Sequence, residues 1–97
     1  MTRTIHRDAE IDLGDAVRHY RSEAGVGVAR RFVIEFERVV RLLEENSRLG
    51  TPSDNGRRSF PLAVFPYTII YRQTETGIRI LVLRHQRRDP GFGAQRS

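Results

Sequence analysis

Apolar residues recur every three or four positions through the first half of the chain. This spacing extends over residues 8–23 and again over 27–47, and it predicts two amphipathic helices. A pair of nearby glycines separates the two segments, and Gly50 and Pro52 follow the second, where they are expected to end a helix. The first half of the chain is therefore expected to form a helical hairpin.

The second half of the chain has the two-residue alternation of β-strands. β-branched and aromatic side chains concentrate at 57–61, 66–73 and 78–85, and residues 2–6 form a further short candidate strand. Residues 53–56 are predicted to be a loop. The last strand is apolar on both faces for part of its length, which is typical of a central strand. The predicted order is β-α-α-β-β-β in the α+β class, with a small, mainly antiparallel sheet packed on a helical hairpin.

The length of 97 residues allows a single domain, 1–97, with one hydrophobic core. Only residues 91–97 have the composition of a flexible tail. We expect the helices to cover one face of the sheet and something outside this chain to cover the other. The N-terminus is too charged for the core of a signal peptide, and no apolar run approaches the ~20 residues of a membrane span. A cytoplasmic location without membrane contact is therefore expected.

The sequence does not indicate a metal or cofactor site. Cysteine is absent, which excludes disulfides and thiolate ligands, and the three histidines lack the spacing of metal ligands. Asp8, Glu10 and Asp12 are interpreted as the acidic first turn of a helix rather than as a metal cluster. We therefore expect neither a bound metal nor a cofactor.

Arginine carries the basic charge of this chain, which contains 17 arginines and no lysine. The first 50 residues hold nine arginines and nine acidic residues, whereas the remaining 47 hold eight and three and carry the whole net charge of +5. A cluster of Arg84, His85, Arg87 and Arg88 follows directly on the last predicted strand, which is expected to hold it rigidly. A negatively charged partner is therefore expected to bind the second half of the chain.

Several short sequence features occur together in an order that is typical of one protein family. In the predicted helices they are Ala9, Asp12, Leu13, Tyr20, residues 29–32 (Ala-Arg-Arg-Phe) and Leu43, followed by Gly50 and Pro52. In the predicted sheet they are Gly56-Arg57-Arg58, the Phe65-Pro66-Tyr67-x-Ile69-x-Tyr71-Arg72 strand and the Val82-Leu83-x-His85-Gln86-Arg87-Arg88-x-Pro90 ending. Together they resemble the RelE/ParE superfamily of bacterial toxins, the growth-inhibiting halves of type II toxin–antitoxin modules. The resemblance covers nearly the whole chain and implies a first strand beside a C-terminal one, with a protein antitoxin as partner.

The resemblance implies two alternative targets. ParE-like members inhibit DNA gyrase, whereas RelE-like members cut messenger RNA on the ribosome. The His85-Gln86-Arg87 ending is more similar to the ParE-like branch, so inhibition of DNA gyrase is favoured. The surface expected to face the target and the antitoxin comprises Arg57, Arg58, Tyr67, Tyr71, Arg72, Arg84, His85, Arg87 and Arg88.

A ribosome-dependent messenger RNA nuclease is the alternative. Metal-free cleavage of RNA needs a base, an acid and cations around the phosphate, and His85 and Arg87 are the candidate catalytic residues, with Glu75 as a second acid–base group. The lysines and the C-terminal tyrosine of RelE-like nucleases have no counterpart here, since Phe92 lacks a hydroxyl. A third hypothesis, a non-toxic basic module that binds nucleic acid, requires only the positive charge.

Overall fold

Two helices lie along one face of a five-stranded sheet in the computed structural model, which describes residues 2–97. In chain order the elements are β1 (Thr2–Ile5), α1 (Arg7–Ala24), α2 (Val26–Glu45), β2 (Thr51–Pro52), a short 3-10 helix (Asp54–Gly56), β3 (Arg57–Pro61), β4 (Tyr67–Gln73) and β5 (Gly77–His85). The predicted α+β architecture is confirmed. The sequence missed β2 and the 3-10 helix, because segments of two or three residues are too short to show a period.

The helices begin and end close to the predicted positions for identifiable reasons. His6 caps α1, since its Nδ1 accepts a hydrogen bond from the backbone N–H of Asp8 at 3.0 Å. Gly25 joins the two helices at a φ of 93°, a left-handed conformation that favours glycine. The buried stripe of α2 consists of Ala29, Phe32, Phe36, Val39, Val40 and Leu43. These side chains pack against the sheet and form the main core.

The strand order in the sheet is β1-β5-β4-β3-β2. β1 pairs with β5 in parallel, and the other neighbours are antiparallel. The first strand therefore lies beside a C-terminal one, as the family resemblance implied. The central position predicted for the last strand is also confirmed, since β5 lies between β1 and β4.

A bulge in β5 explains why this strand is apolar on both faces. Ile70 pairs with Val82 while its neighbour Tyr71 pairs with Ile80, so Leu81 has no partner residue in β4. The extra residue shifts the alternation by one position. As a result Ile80 packs into the core under the helices, whereas Leu81 and Val82 pack on the opposite face with Ile70. We call that opposite face the outer face.

The C-terminal segment, residues 91–97, covers part of the outer face. Phe92 packs against the cluster formed by Ile70, Leu81 and Val82. The sequence predicted that something outside this chain would cover this face, but the chain supplies part of the cover itself. Residues 91–97 were predicted to be a flexible tail, and the structure places them back against the sheet, where they form several hydrogen bonds. Their flexibility stays a prediction.

The loop between β3 and β4 is fastened to α2 by Glu35. The carboxylate of Glu35 accepts a hydrogen bond from the backbone N–H of Ala63 at 2.6 Å and two from Arg38 at 2.7 and 2.9 Å. The hydrogen bond from Arg38, supported by that from Ala63, holds the pKa of Glu35 below its ordinary value. The same loop holds Val64 at a φ of 72°, which is unfavourable for a β-branched residue, so the fastening stabilises a strained turn.

Candidate functional site

Three arginines lie side by side across the outer face. Arg57 in β3 pairs with Arg72 in β4, and Arg72 pairs with Arg79 in β5, so the three form one cross-strand row. Neighbouring strands are ~4.8 Å apart, and like charges directly opposite one another destabilise a sheet. Among residues 2–97, no carboxylate forms a salt bridge with any of the three. We call this set the arginine row; Arg79 was not among the surface residues predicted from the sequence.

Main-chain oxygens of the C-terminal segment accept hydrogen bonds from two members of the arginine row. The guanidinium of Arg57 donates to three carbonyl groups within 93–96, two of them at 3.2 and 3.0 Å. Arg79 donates through Nε to the main-chain oxygen of Ser97 at 3.2 Å. The backbone carbonyl groups that accept from Arg57 are uncharged, so they do not neutralise its guanidinium. The row therefore keeps most of its positive charge, and Arg72 has no partner within the described chain.

A second group of predicted residues meets where β5 ends. The ring of His85 packs edge-on against Tyr67, with centroids 5.0 Å apart, and its Nδ1 accepts the backbone N–H of Arg87 at 3.0 Å. The guanidinium carbon of Arg88 lies 4.4 Å from the centroid of the Phe92 ring, a cation–π contact that orients it. Burial raises the pKa of the Tyr67 phenol, so Tyr67 is a neutral donor at physiological pH.

Two other predicted surface residues have structural contacts instead. Tyr71 is fully buried, and its hydroxyl accepts from the N–H of Gly50 at 2.9 Å and donates to the carbonyl of Ser47 at 3.0 Å. The prediction that its side chain faces a partner is therefore wrong, because the register of β4 turns it into the core. Arg58, its cross-strand neighbour, donates to the carbonyl groups of Arg48 and Gly50 at 3.1 and 2.9 Å. Both residues hold the connection between α2 and β3.

The remaining predicted arginines lie at the surface. Arg84 donates to the carbonyl of Pro90 at 3.2 Å, and Arg87 is exposed. Glu75, the second acid–base group of the nuclease hypothesis, lies in the turn before β5, whereas His85 is the last residue of that nine-residue strand. A strand of this length spans roughly 30 Å. The two side chains therefore cannot act on one phosphate, and that pairing is wrong.

An ion pair between Asp12 and Arg96 was not predicted from the sequence. The Oδ2 atom of Asp12 is 2.6 Å from Nη1 of Arg96, and the two side chains are 8% and 13% exposed. Asp12 also accepts the N–H of Leu83, and Arg96 donates to the carbonyl of Leu81, each at 3.1 Å. β1 pairs with β5 only as far as Ile80. Beyond that residue, the side chains of Asp12 and Arg96 supply hydrogen-bond partners to the backbone of β5 that β1 leaves unpaired. The interpretation of Asp12 as a first-turn helix acid is wrong.

Within residues 2–97 we find no cluster of three side chains suited to binding a metal ion. The same part of the chain contains no helix of sufficient length and hydrophobicity to cross a membrane. The site consists of arginines, aromatic rings and one histidine. Such a set can bind anions and planar groups through charge, hydrogen bonds and stacking.

Comparison with known proteins relates this geometry to one family. Residues 4–90 match the family described as ParE toxin of type II toxin-antitoxin system, parDE. The fold is similar to a chain in the solved structure of the chromosomal ParDE TA system from P. aeruginosa, with a TM-score of 0.78 and 26% sequence identity. That alignment covers 88% of this chain and 95% of the other. No curated protein sequence matches the chain significantly.

Proposed function

The chain belongs to the ParE toxin family of type II toxin–antitoxin systems, and on this premise we propose that it arrests growth by inhibiting DNA gyrase. A cognate antitoxin neutralises it by covering the same basic surface. This surface consists of the arginine row on the outer face together with Arg84, His85, Arg87 and Arg88 at the end of β5. Each of these residues lies on β3, β4 or β5 or directly after β5, so the sheet fixes their spacing.

The observation that carries this proposal is a dense group of arginines in which His85 lies far from Glu75, its predicted acid–base partner. Inhibition of gyrase requires binding to protein or DNA, for which rigidly held guanidinium groups suffice. Cleavage of RNA also requires a proton acceptor and a proton donor at one phosphate. The pair proposed for that chemistry is separated by the length of β5, and His85 already uses one ring nitrogen to accept a backbone N–H. The geometry therefore supports a binding function better than a hydrolytic one.

A supercoiling assay with purified gyrase tests this function. Wild-type protein is expected to inhibit supercoiling, and the Arg72→Ala/Arg87→Ala variant is expected to require at least roughly tenfold more protein, since central arginines of an interface commonly contribute about 2 kcal/mol. Both side chains lack salt bridges among residues 2–97, so the fold should be preserved.

The control variant is Arg30→Ala/Arg41→Ala, which removes the same charge from the exposed face of α2. It is expected to inhibit as well as the wild type. Unchanged inhibition by the Arg72→Ala/Arg87→Ala variant contradicts the proposed surface. The target is the ribosome instead of gyrase if wild-type protein leaves supercoiling uninhibited and produces new 5′ ends on messenger RNA in a translation reaction.

A further inference from the structure

A cavity of about 300 Å³ lies at the edge of the sheet, between α1 and the end of β5, where Phe92 also lines it. Its lining includes Asp12, Asp15, His19, Tyr67, His85 and Arg88. We infer that this cavity binds the carboxylate of an acidic side chain from a partner protein. The cavity lies apart from the arginine row, so it would add a specific contact to the general attraction between charges.

The first observation is an unused hydroxyl group. Tyr67 is only 9% exposed, and its hydroxyl forms no hydrogen bond within residues 2–97. In that part of the chain, every side-chain polar atom that is fully buried has a partner. The Tyr67 hydroxyl must therefore reach the open space of the cavity that it lines. A bound acceptor there can replace the water that would otherwise solvate this hydroxyl.

The second observation is that two further donors line the same cavity. The Nδ1 atom of His85 accepts the backbone N–H of Arg87, so the neutral ring carries its proton on Nε2. Arg88 forms no salt bridge within the described residues, and Phe92 holds its guanidinium in place. Together with Tyr67, they supply an O–H donor, a ring N–H donor and a permanent positive charge to one ligand.

The acidic residues of the lining do not act as the acceptor for these donors, because each already forms a salt bridge with another arginine. Asp12 is paired with Arg96, and Asp15 lies 2.5 Å from an Nη atom of Arg18. Their charges still disfavour a ligand with two negative charges, such as a phosphate monoester. A ligand with one negative charge is therefore favoured.

The acidic residues of the lining favour a single side chain over a nucleic-acid backbone, which would bring further phosphates towards Asp12 and Asp15. An aspartate or glutamate ends at its carboxylate and can enter a pocket end-on. A phosphodiester continues on both sides of its charge, which suits an open groove. The partner is therefore a protein with a projecting acidic side chain, which is the antitoxin if the proposed function holds. That identity rests on the proposed function, whereas the pocket does not.

Titration followed by amide NMR tests the pocket with two small probes on the whole chain. N-acetylglutamate N-methylamide represents an acidic side chain, and dimethyl phosphate represents a nucleic-acid phosphate. The amide of Arg87 is the reporter, because it donates to His85. We expect a saturable shift with the glutamate probe and roughly tenfold weaker binding to the Tyr67→Phe variant, since hydrogen bonds to charged groups contribute about 1.5–3 kcal/mol.

The matched control is Tyr20→Phe. Tyr20 belongs to the same aromatic cluster, with its ring centroid 6.2 Å from that of Tyr67, but it does not line the cavity. Its variant should bind the probe like the wild type. Absence of a saturable shift, or equal weakening in both variants, overturns the inference, and tighter binding of dimethyl phosphate overturns the choice of a protein partner. A failed gyrase assay beside a successful titration rejects the proposed target alone.

Discussion

Replacement of Asp12 by Ala is expected to destabilise the protein by about 3–5 kcal/mol, which is typical of removing one partner of a buried ion pair. The side chains of Asp12 and Arg96 are 8% and 13% exposed, so water can solvate the remaining guanidinium only poorly, and the exposed carboxylate of Asp8, at 3.9 Å, compensates it only in part. The backbone N–H of Leu83 also loses its acceptor, because no strand lies beside that edge of β5. Both losses act on a single site that joins α1, β5 and the C-terminal segment.

A double-mutant cycle separates the ion pair from general packing. Asp12→Ala, Arg96→Ala and the combined variant are compared with the wild type by urea denaturation followed by circular dichroism. We expect a coupling free energy of about 2 kcal/mol, because Asp12→Ala leaves Arg96 only the more distant carboxylate of Asp8, at 3.9 Å, and Arg96→Ala leaves Asp12 without its cation. Asp12→Asn should lose less than Asp12→Ala, since its amide oxygen can still accept the N–H of Leu83.

The pair formed by Asp15 and Arg18 provides an internal control in the same helix. These side chains are 63% and 71% exposed, and the coupling of such a surface pair is about 0.5 kcal/mol or less. A coupling for Asp12 and Arg96 that is no larger than this control refutes the reasoning. It would mean that the C-terminal segment contributes nothing to stability at this position.

Three further substitutions test other parts of the structure. The lowered pKa of Glu35 means that this carboxylate stabilises the fold above its ordinary pKa of 4.5 and loses that contribution as the pH falls through its folded-state value. In Glu35→Gln, the free energy of unfolding measured in urea should therefore fall less steeply over this acidic range. An unchanged pH profile contradicts the assignment. Leu43→Ala should lower the free energy of unfolding by about 2–5 kcal/mol, because Leu43 is fully buried under the sheet; a loss below about 1 kcal/mol in urea denaturation would contradict its place in the core. Gly77→Ala should disrupt the pairing of β1 with β5, because a Cβ there would lie 1.8 Å from the carbonyl oxygen of Thr2, whereas Gly27→Ala meets no atom within 4 Å and should be tolerated; equal melting temperatures for the two variants would contradict this register.

The sequence predicted those parts of the fold that repeat along the chain. The buried stripe of α2 and the alternation in β4 are periodic, so both elements were predicted close to their observed bounds. The bulge at Leu81 was not predictable, since it depends on which residue of β4 faces Val82. Runs of apolar residues on both faces of β5 indicated a central strand without revealing the cause.

The candidate site was predicted in composition but only partly in geometry. Arg57 and Arg58 are neighbours with opposite orientations, so one belongs to the arginine row and the other fastens a loop. Tyr67 and Tyr71 share the helix side of β4, yet only Tyr67 reaches a cavity. The pair of Asp12 and Arg96 joins residues from the two ends of the chain, and no local pattern can indicate such a contact.

The pairing of β1 with β5 also has a consequence for how the protein is made. Thr2 and Thr76 form a hydrogen bond across 74 positions, and closing a chain segment of that length has an entropic cost of about 4 kcal/mol. The hairpins of β3, β4 and β5 join residues that are far closer together in the sequence, so they can form first. A nascent chain whose last residues are still inside the ribosome lacks the strand that β1 must join and the residue that Asp12 must bind. β1 and Asp12 therefore stay without their partners until residues 77–96 have been synthesised and have left the ribosome.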